Sequence, residues 1–116
     1  MKNRKKVHTA YITVHNNQTG KTAKINVNKS YDVLENKRKS LALMRLFELI
    51  LETELDPIWD AEAGFRVNLN KNQISTIIEV LEVFFEVPFI FDEIDCEFFS
   101  RADAGLEALE NMRTAL

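Results

Sequence analysis

The sequence predicts an α+β fold. In it an N-terminal β-hairpin and a short third strand form a small antiparallel sheet, packed by two or three amphipathic helices in the order β-β-α-β-α-α. Three observations carry this reading. Ala10, Ile12 and Val14 alternate with polar residues before an Asn/Gly-rich turn, and Ala23, Ile25 and Val27 do so after it, the period-two signature of paired strands. Ile74, Ile77, Ile78, Leu81, Phe84 and Phe85 recur at helical spacing. The 116 residues are 46% hydrophobic, enough for a buried core in one domain spanning 1–116 and too apolar for intrinsic disorder.

Residues 1–6, "MKNRKK", are expected to be a flexible basic tail. The hairpin follows over residues 7–28. Its turn with the residue after it, "HNNQTGKT", ends in Gly-Lys-Thr and so invites comparison with a phosphate-binding loop. That loop needs a first glycine where His15 stands, and it opens a helix, whereas a strand pattern follows here. Gly20 is therefore read as the positive-φ residue of a hairpin turn, with a bulge nearby.

The first helix starts near Asp32, which with Glu35 three positions on resembles a capping box. Its continuation, "SLALMRLFELILETEL", is apolar over most of its circumference, with Arg45, Glu48 and Glu52 as a narrow polar stripe. Such a helix is sandwiched within the fold or across an oligomer interface. Pro57 and Gly64 interrupt the pattern, and Phe65, Val67 and Leu69 alternate as the third strand.

The second helix has the clearest start. Asn70 is the N-cap, Gln73 sits at N3, and Leu69 can staple against Ile74. Val80, Val83 and Val87 widen its apolar face, Ser75, Glu79, Glu82 and Glu86 make its solvent stripe, and Pro88 ends it. The last segment repeats Ile94, Phe98, Ala102, Leu106, Leu109, Met112 and Leu116 as one helix, or as two with Ser100 capping the second.

Charge divides the chain. Through Arg45, eleven basic residues face two acidic ones, a balance of +9; from Leu46 on, four basic residues face sixteen acidic ones, a balance of −12. Such asymmetry points to polyanion binding or head-to-tail association. The lone Cys96 cannot form an internal disulfide, and no apolar run reaches membrane-spanning length, so a cytoplasmic protein without a membrane partner is expected.

Catalytic, metal and cofactor sites are not expected. His8 and His15 fall on opposite faces of the first strand, Cys96 sits among carboxylates that weaken its thiol as a nucleophile, and Asp92, Glu93, Asp95 and Glu97 lack calcium-loop spacing. Two binding surfaces remain. The acidic stripe Glu79, Glu82 and Glu86, with Phe89, Phe91, Asp92 and Glu93 at the bend after Pro88, is an apolar patch rimmed by carboxylates, suited to a basic protein partner. The basic set Lys2, Arg4, Lys5, Lys6, Lys37, Arg38 and Lys39, with Tyr11 as a stacking residue, suits nucleic-acid phosphates. The expected function is accordingly a small non-enzymatic binding or regulatory protein that acts through protein contacts and self-associates. Its size and composition fit inhibitors, assembly factors or accessory proteins of phages and mobile elements; a nucleic-acid-binding regulator is the alternative.

The turn reading makes one prediction. Lys21→Ala should leave the far-UV circular dichroism unchanged, and calorimetry should detect no ATP or GTP binding in either form. Micromolar nucleotide affinity that the substitution abolishes would restore the phosphate-loop reading.

Overall fold

A computed structural model describes residues 7–60, 64–86 and 102–116; side chains are described for these except at 84–86 and 102–105. The elements are β1 (His8–Asn16), β2 (Thr22–Ser30), α1 (Val33–Leu51), β3 (Ile58–Asp60), β4 (Gly64–Leu69), α2 (Lys71–Glu86) and α3 (Ala102–Thr114). The expected basic tail, residues 1–6, lies outside the described residues.

The α+β class holds, but the sheet is larger than expected and mixed. Four strands lie in the order β2-β1-β4-β3, and β4 runs parallel to β1 from Tyr11↔Gly64 to Asn16↔Leu69. The cause is the crossover. α1 carries the chain back along the sheet after β2, and the β3–β4 hairpin reverses it once more, so β4 enters beside β1 in the same direction. β3 escaped the periodicity argument because three residues are too few to show alternation. Its Trp59 ring packs on Phe65 with centroids 4.9 Å apart and tilted by 58°, which fixes the short strand to its neighbour.

The hairpin turn is built around Asn16. Its Oδ1 accepts the Gln18 and Thr19 N–H groups at 2.9 and 3.3 Å, and its carbonyl accepts the Gly20 N–H at 2.8 Å. These amides are thus turned inward on one side chain and one carbonyl, with Gly20 at φ +78°, and β2 follows directly. A bulge does occur, but in mid-strand. The register slips from Ala10↔Asn28 to Tyr11↔Asn26, with Val27 as the extra residue. Beyond the bulge Asn28 faces the helices, where its Nδ2 donates to Asn36 Oδ1 at 2.7 Å, and Asn36 Nδ2 in turn donates to the His8 carbonyl at 3.0 Å. Asn36 is buried, and these bonds satisfy an amide that would be costly to bury alone.

The start of α1 differs from a simple capping box. Asp32 Oδ1 accepts the Leu34 N–H at 2.9 Å, but Glu35 does not reach the Asp32 N–H. Ser30 relays between them, its hydroxyl accepting from Asp32 N–H at 3.0 Å and donating to Glu35 Oε2 at 2.9 Å. The helix ends at Leu51, short of Leu55. Glu52 adopts the left-handed conformation at φ 54°, and the Thr53 N–H closes on the Glu48 carbonyl at 3.2 Å.

α2 starts as its sequence indicates: the Gln73 N–H donates to Asn70 Oδ1 at 2.8 Å and the Asn70 N–H to Gln73 Oε1 at 2.9 Å. Ile74, Ile77, Ile78 and Leu81 are buried, whereas Val83 is 48% exposed instead of widening the core face. In α3, Ala108, Leu109 and Met112 are buried and Leu106 is 57% exposed. Ile94 and Phe98 lie outside the described residues, as does the choice between one C-terminal helix and two.

One core results. It joins Ile12 and Val14 of β1, Ala23, Ile25 and Val27 of β2, Phe65, Val67 and Leu69 of β4, and the inner faces of all three helices. The helices therefore cover one face of the sheet. Among the described residues, no helix is long and apolar enough to cross a membrane.

Gly64 generates the structural prediction. It has φ +90°, and a Cβ there would collide with the Tyr11 carbonyl oxygen and lie 2.8 Å from the Tyr11 nitrogen. Left-handed strain and backbone collision together should make Gly64→Ala destabilising by about 3 kcal/mol or more. Urea denaturation of parent and variant measures this; a loss below about 1 kcal/mol would contradict the close β1–β4 approach.

Candidate functional site

Packing on the sheet gives α1 two distinct sides. Asn36, Ser40, Leu43, Met44 and Phe47 are buried toward the core. At about 100° per residue, Leu34, Arg38, Ala42, Arg45, Leu49 and Glu52 fall within an arc of about 80° on the other side, and all six are exposed. Leu34 and Leu49 are each 75% exposed. Tyr31, 59% exposed, and Val7, 43% exposed, stand just beyond the His8↔Ser30 pair at the end of the hairpin from which the chain enters α1. Leu49 lies in a broad concavity of about 720 Å³ formed with Arg45, Glu48, Glu52, Thr53 and Glu54.

Basic groups lie between these leucines, and carboxylates lie around Leu49. Arg38 and Arg45 lie on the same arc, and Lys37 beside it places Nζ 5.5 Å from the centre of the Trp59 ring, a cation–π contact. Lys39 pairs with Glu35 at 3.2 Å. Glu48, a member of the narrow polar stripe, is turned inward: its side chain is only 11% exposed, Oε2 accepts the Leu55 N–H at 2.8 Å, and Oε1 accepts from Arg45. The Leu55 N–H first, and Arg45 second, hold its carboxyl below the usual carboxylate range.

A second surface is the sheet face turned away from the helices. The strand registers align its side chains in rows: Asn68, His15 and Thr22; then Ile58, Arg66, Thr13 and Lys24; then Asp60, Gly64, Tyr11 and Asn26. A cavity of about 350 Å³ is lined by Asp56, Ile58, Arg66, Thr13, Asn68, His15 and Thr22. Within it the His15 Nδ1 and Asn68 Oδ1 lie 3.1 Å apart and bond to each other; elsewhere on the same face Lys24 Nζ sits 5.1 Å over the Tyr11 ring. Among the described residues no group of three His, Cys, Asp or Glu side chains could hold a metal ion.

These placements sort the residues singled out in the sequence. Tyr11 is on the open sheet face, whereas Lys37, Arg38 and Lys39 are on α1 in the other layer, so the structure does not bring the nucleic-acid set together. Lys2, Arg4, Lys5 and Lys6 lie outside the described residues. Of the protein-binding set, Glu79 and Glu82 are exposed on α2, Glu82 pairing with Arg113 at 3.1 Å. The side chain of Glu86, and Phe89, Phe91, Asp92 and Glu93 altogether, lie outside the described residues, as does Cys96. The sequence reading missed Leu34 and Leu49. Their signal was there, since Arg38, Arg45 and Glu52 at i, i+7 and i+14 mark an outward line that both leucines share.

The chain matches no protein-family model, no curated protein and no solved structure.

The Glu48 geometry predicts a pH dependence. A carboxyl whose folded pKa is lowered stabilises the fold fully above its unfolded pKa of about 4.3, and that stability is lost as pH falls through the folded value. Glu48→Gln should therefore lower the urea midpoint at pH 7, and the difference from the parent should shrink below about pH 4. A difference that is unchanged at pH 3 would contradict an ionised Glu48 as the anchor of the α1–β3 connection.

Proposed function

We propose that the chain is a small non-enzymatic binding protein that acts through protein–protein contacts, with the outer arc of α1 as its docking surface. The observation that carries this reading is the pair Leu34 and Leu49, each three-quarters exposed on a helix whose opposite side already supplies the core. Full burial of a leucine against a partner is worth roughly 1.5–3 kcal/mol of transfer free energy. Arg38 and Arg45 lie between the two apolar ends, and arginine beside apolar anchors is the composition of an interface centre. Ala42 in the middle keeps the arc low enough for close approach. The charge of this surface is mixed, with Arg38 and Arg45 between the leucines and Glu52 and Glu54 beside Leu49, so it suits a partner that carries both signs. Nucleic-acid binding has less support, because the stacking residue and the basic helix turn belong to different layers.

The test is capture. The tagged parent, immobilised in a lysate of the native host, should retain a protein that Leu34→Gln/Leu49→Gln does not. Both positions are exposed, so each substitution should change stability by no more than about 0.5 kcal/mol, which circular dichroism and urea denaturation can check. Equal retention by the folded variant would remove α1 from the interface.

A further inference from the structure

We infer that the cavity on the open face of the sheet binds a small zwitterion of the α-amino-acid class, Arg66 taking its carboxylate and Asp56 its ammonium group. The site does not use the α1 arc. Strand register builds it. On the open face Arg66 lies between Ile58 of β3 and Thr13 of β1, and Asn68, two residues on, lies beside His15. Pro57 confines Asp56 to extended backbone, and the β3–β4 register continued by two residues sets Asp56 across from Asn68. Asp56 and Arg66 therefore stand on diagonal corners of one patch, roughly 7–8 Å apart along the backbones. Both line the cavity of about 350 Å³.

The two charges share this cavity without meeting. Among the described residues, the side chains of Arg66 and Asp56 make no hydrogen bond or ion pair, either with each other or with another group. Lys24, the other cation of the Arg66 row, is over the Tyr11 ring instead. A simple anion in the cavity is repelled by Asp56, and a simple cation by Arg66, whereas a ligand with both signs satisfies the two at once. The planar guanidinium of Arg66 matches a carboxylate bidentately. Asn68 adds a donor of fixed identity. Its Oδ1 only accepts, and His15 Nδ1 already occupies it, so Nδ2 is the end left for the ligand. The hydroxyl of half-buried Thr13 supplies a further donor beside Arg66. Ile58, 60% exposed, is the apolar wall for a ligand side chain. The volume is at the low end of the range of about 300–1,000 Å³ for ligand sites, which suits a single amino acid.

Titration of the nitrogen-15-labelled full chain with each of the twenty standard amino acids, followed by NMR, tests this. At least one should give saturable shifts at Thr13, Ile58, Arg66 and Asn68, with a Kd below about 1 mM. The matching carboxylic acid without the amino group, and the matching amine without the carboxylate, should each bind at least tenfold more weakly. Arg66→Gln and Asp56→Asn should each weaken the amino acid at least tenfold. Both positions are exposed, so both variants should fold, which circular dichroism checks. No saturable shift with any amino acid at about 10 mM would overturn the inference. Equal binding of the acid without the amino group would overturn it too, because the site is then a plain anion site. Undiminished binding by either folded variant would remove the ligand from this cavity.

Discussion

The parallel pairing of β1 with β4 is the constraint on which the rest of the structure depends. Two parallel neighbours cannot be joined by a tight turn, so the chain between them must cross the sheet face. Here α1 makes that crossing, and its path decides what is buried. Leu43, Met44 and Phe47 fill the layer between helix and sheet, and the same rotation leaves Leu34, Arg38, Arg45 and Leu49 pointing outward. Gly64 permits the pairing, because the β4 backbone enters directly against Tyr11 with no room for a side chain. The candidate docking surface is thus a consequence of strand order.

The end of the sheet near the hairpin turn holds that arrangement in register. Three successive turn residues tie three different parts of the chain. Asn16 Nδ2 donates to the Ala115 carbonyl at 2.8 Å, the Asn17 N–H donates to the Leu69 carbonyl at 2.9 Å, and Gln18 Oε1 accepts the Lys71 N–H at 2.8 Å. Asn16 is fully buried, with both ends of its amide used. The turn that resembles a nucleotide loop in its letters is a structural junction: its polar groups satisfy the first N–H of α2 and a carbonyl after α3, both of which would otherwise lack intrahelical partners. At the free edge of the sheet, Asn111 Nδ2 donates to the Lys24 carbonyl at 2.9 Å, so α3 also blunts a strand edge open to unwanted pairing.

Local features were legible in the sequence and distant ones were not. The Asn70–Gln73 capping box and the Asn/Gly turn are set by residues within four positions of one another, and both appear as read. The parallel pairing joins residues some fifty positions apart, a choice among topologies that alternation cannot make. Three-residue β3 has no period to detect. Val83 reads as core by its spacing because helical periodicity identifies an arc, while the residues at the margins of that arc are decided by what packs beside them. Glu48 shows the same limit in reverse: it sits in a polar stripe by sequence, but the Leu55 N–H draws it inward. For the site, the charge division was visible at once. That Leu34 and Leu49 stay outside while the opposite side of the same helix fills the core required the fold.

We place protein recognition on the outer arc of α1 and not on the polar face of the sheet. Backbone amide shifts of the nitrogen-15-labelled chain, followed by NMR as the protein captured from the lysate is added, distinguish the two. Changes should concentrate at Leu34, Arg38, Ala42, Arg45 and Leu49, while Thr13, His15, Arg66 and Asn68 stay fixed. Changes confined to the sheet face would contradict it and move the site to the His15–Asn68 cavity.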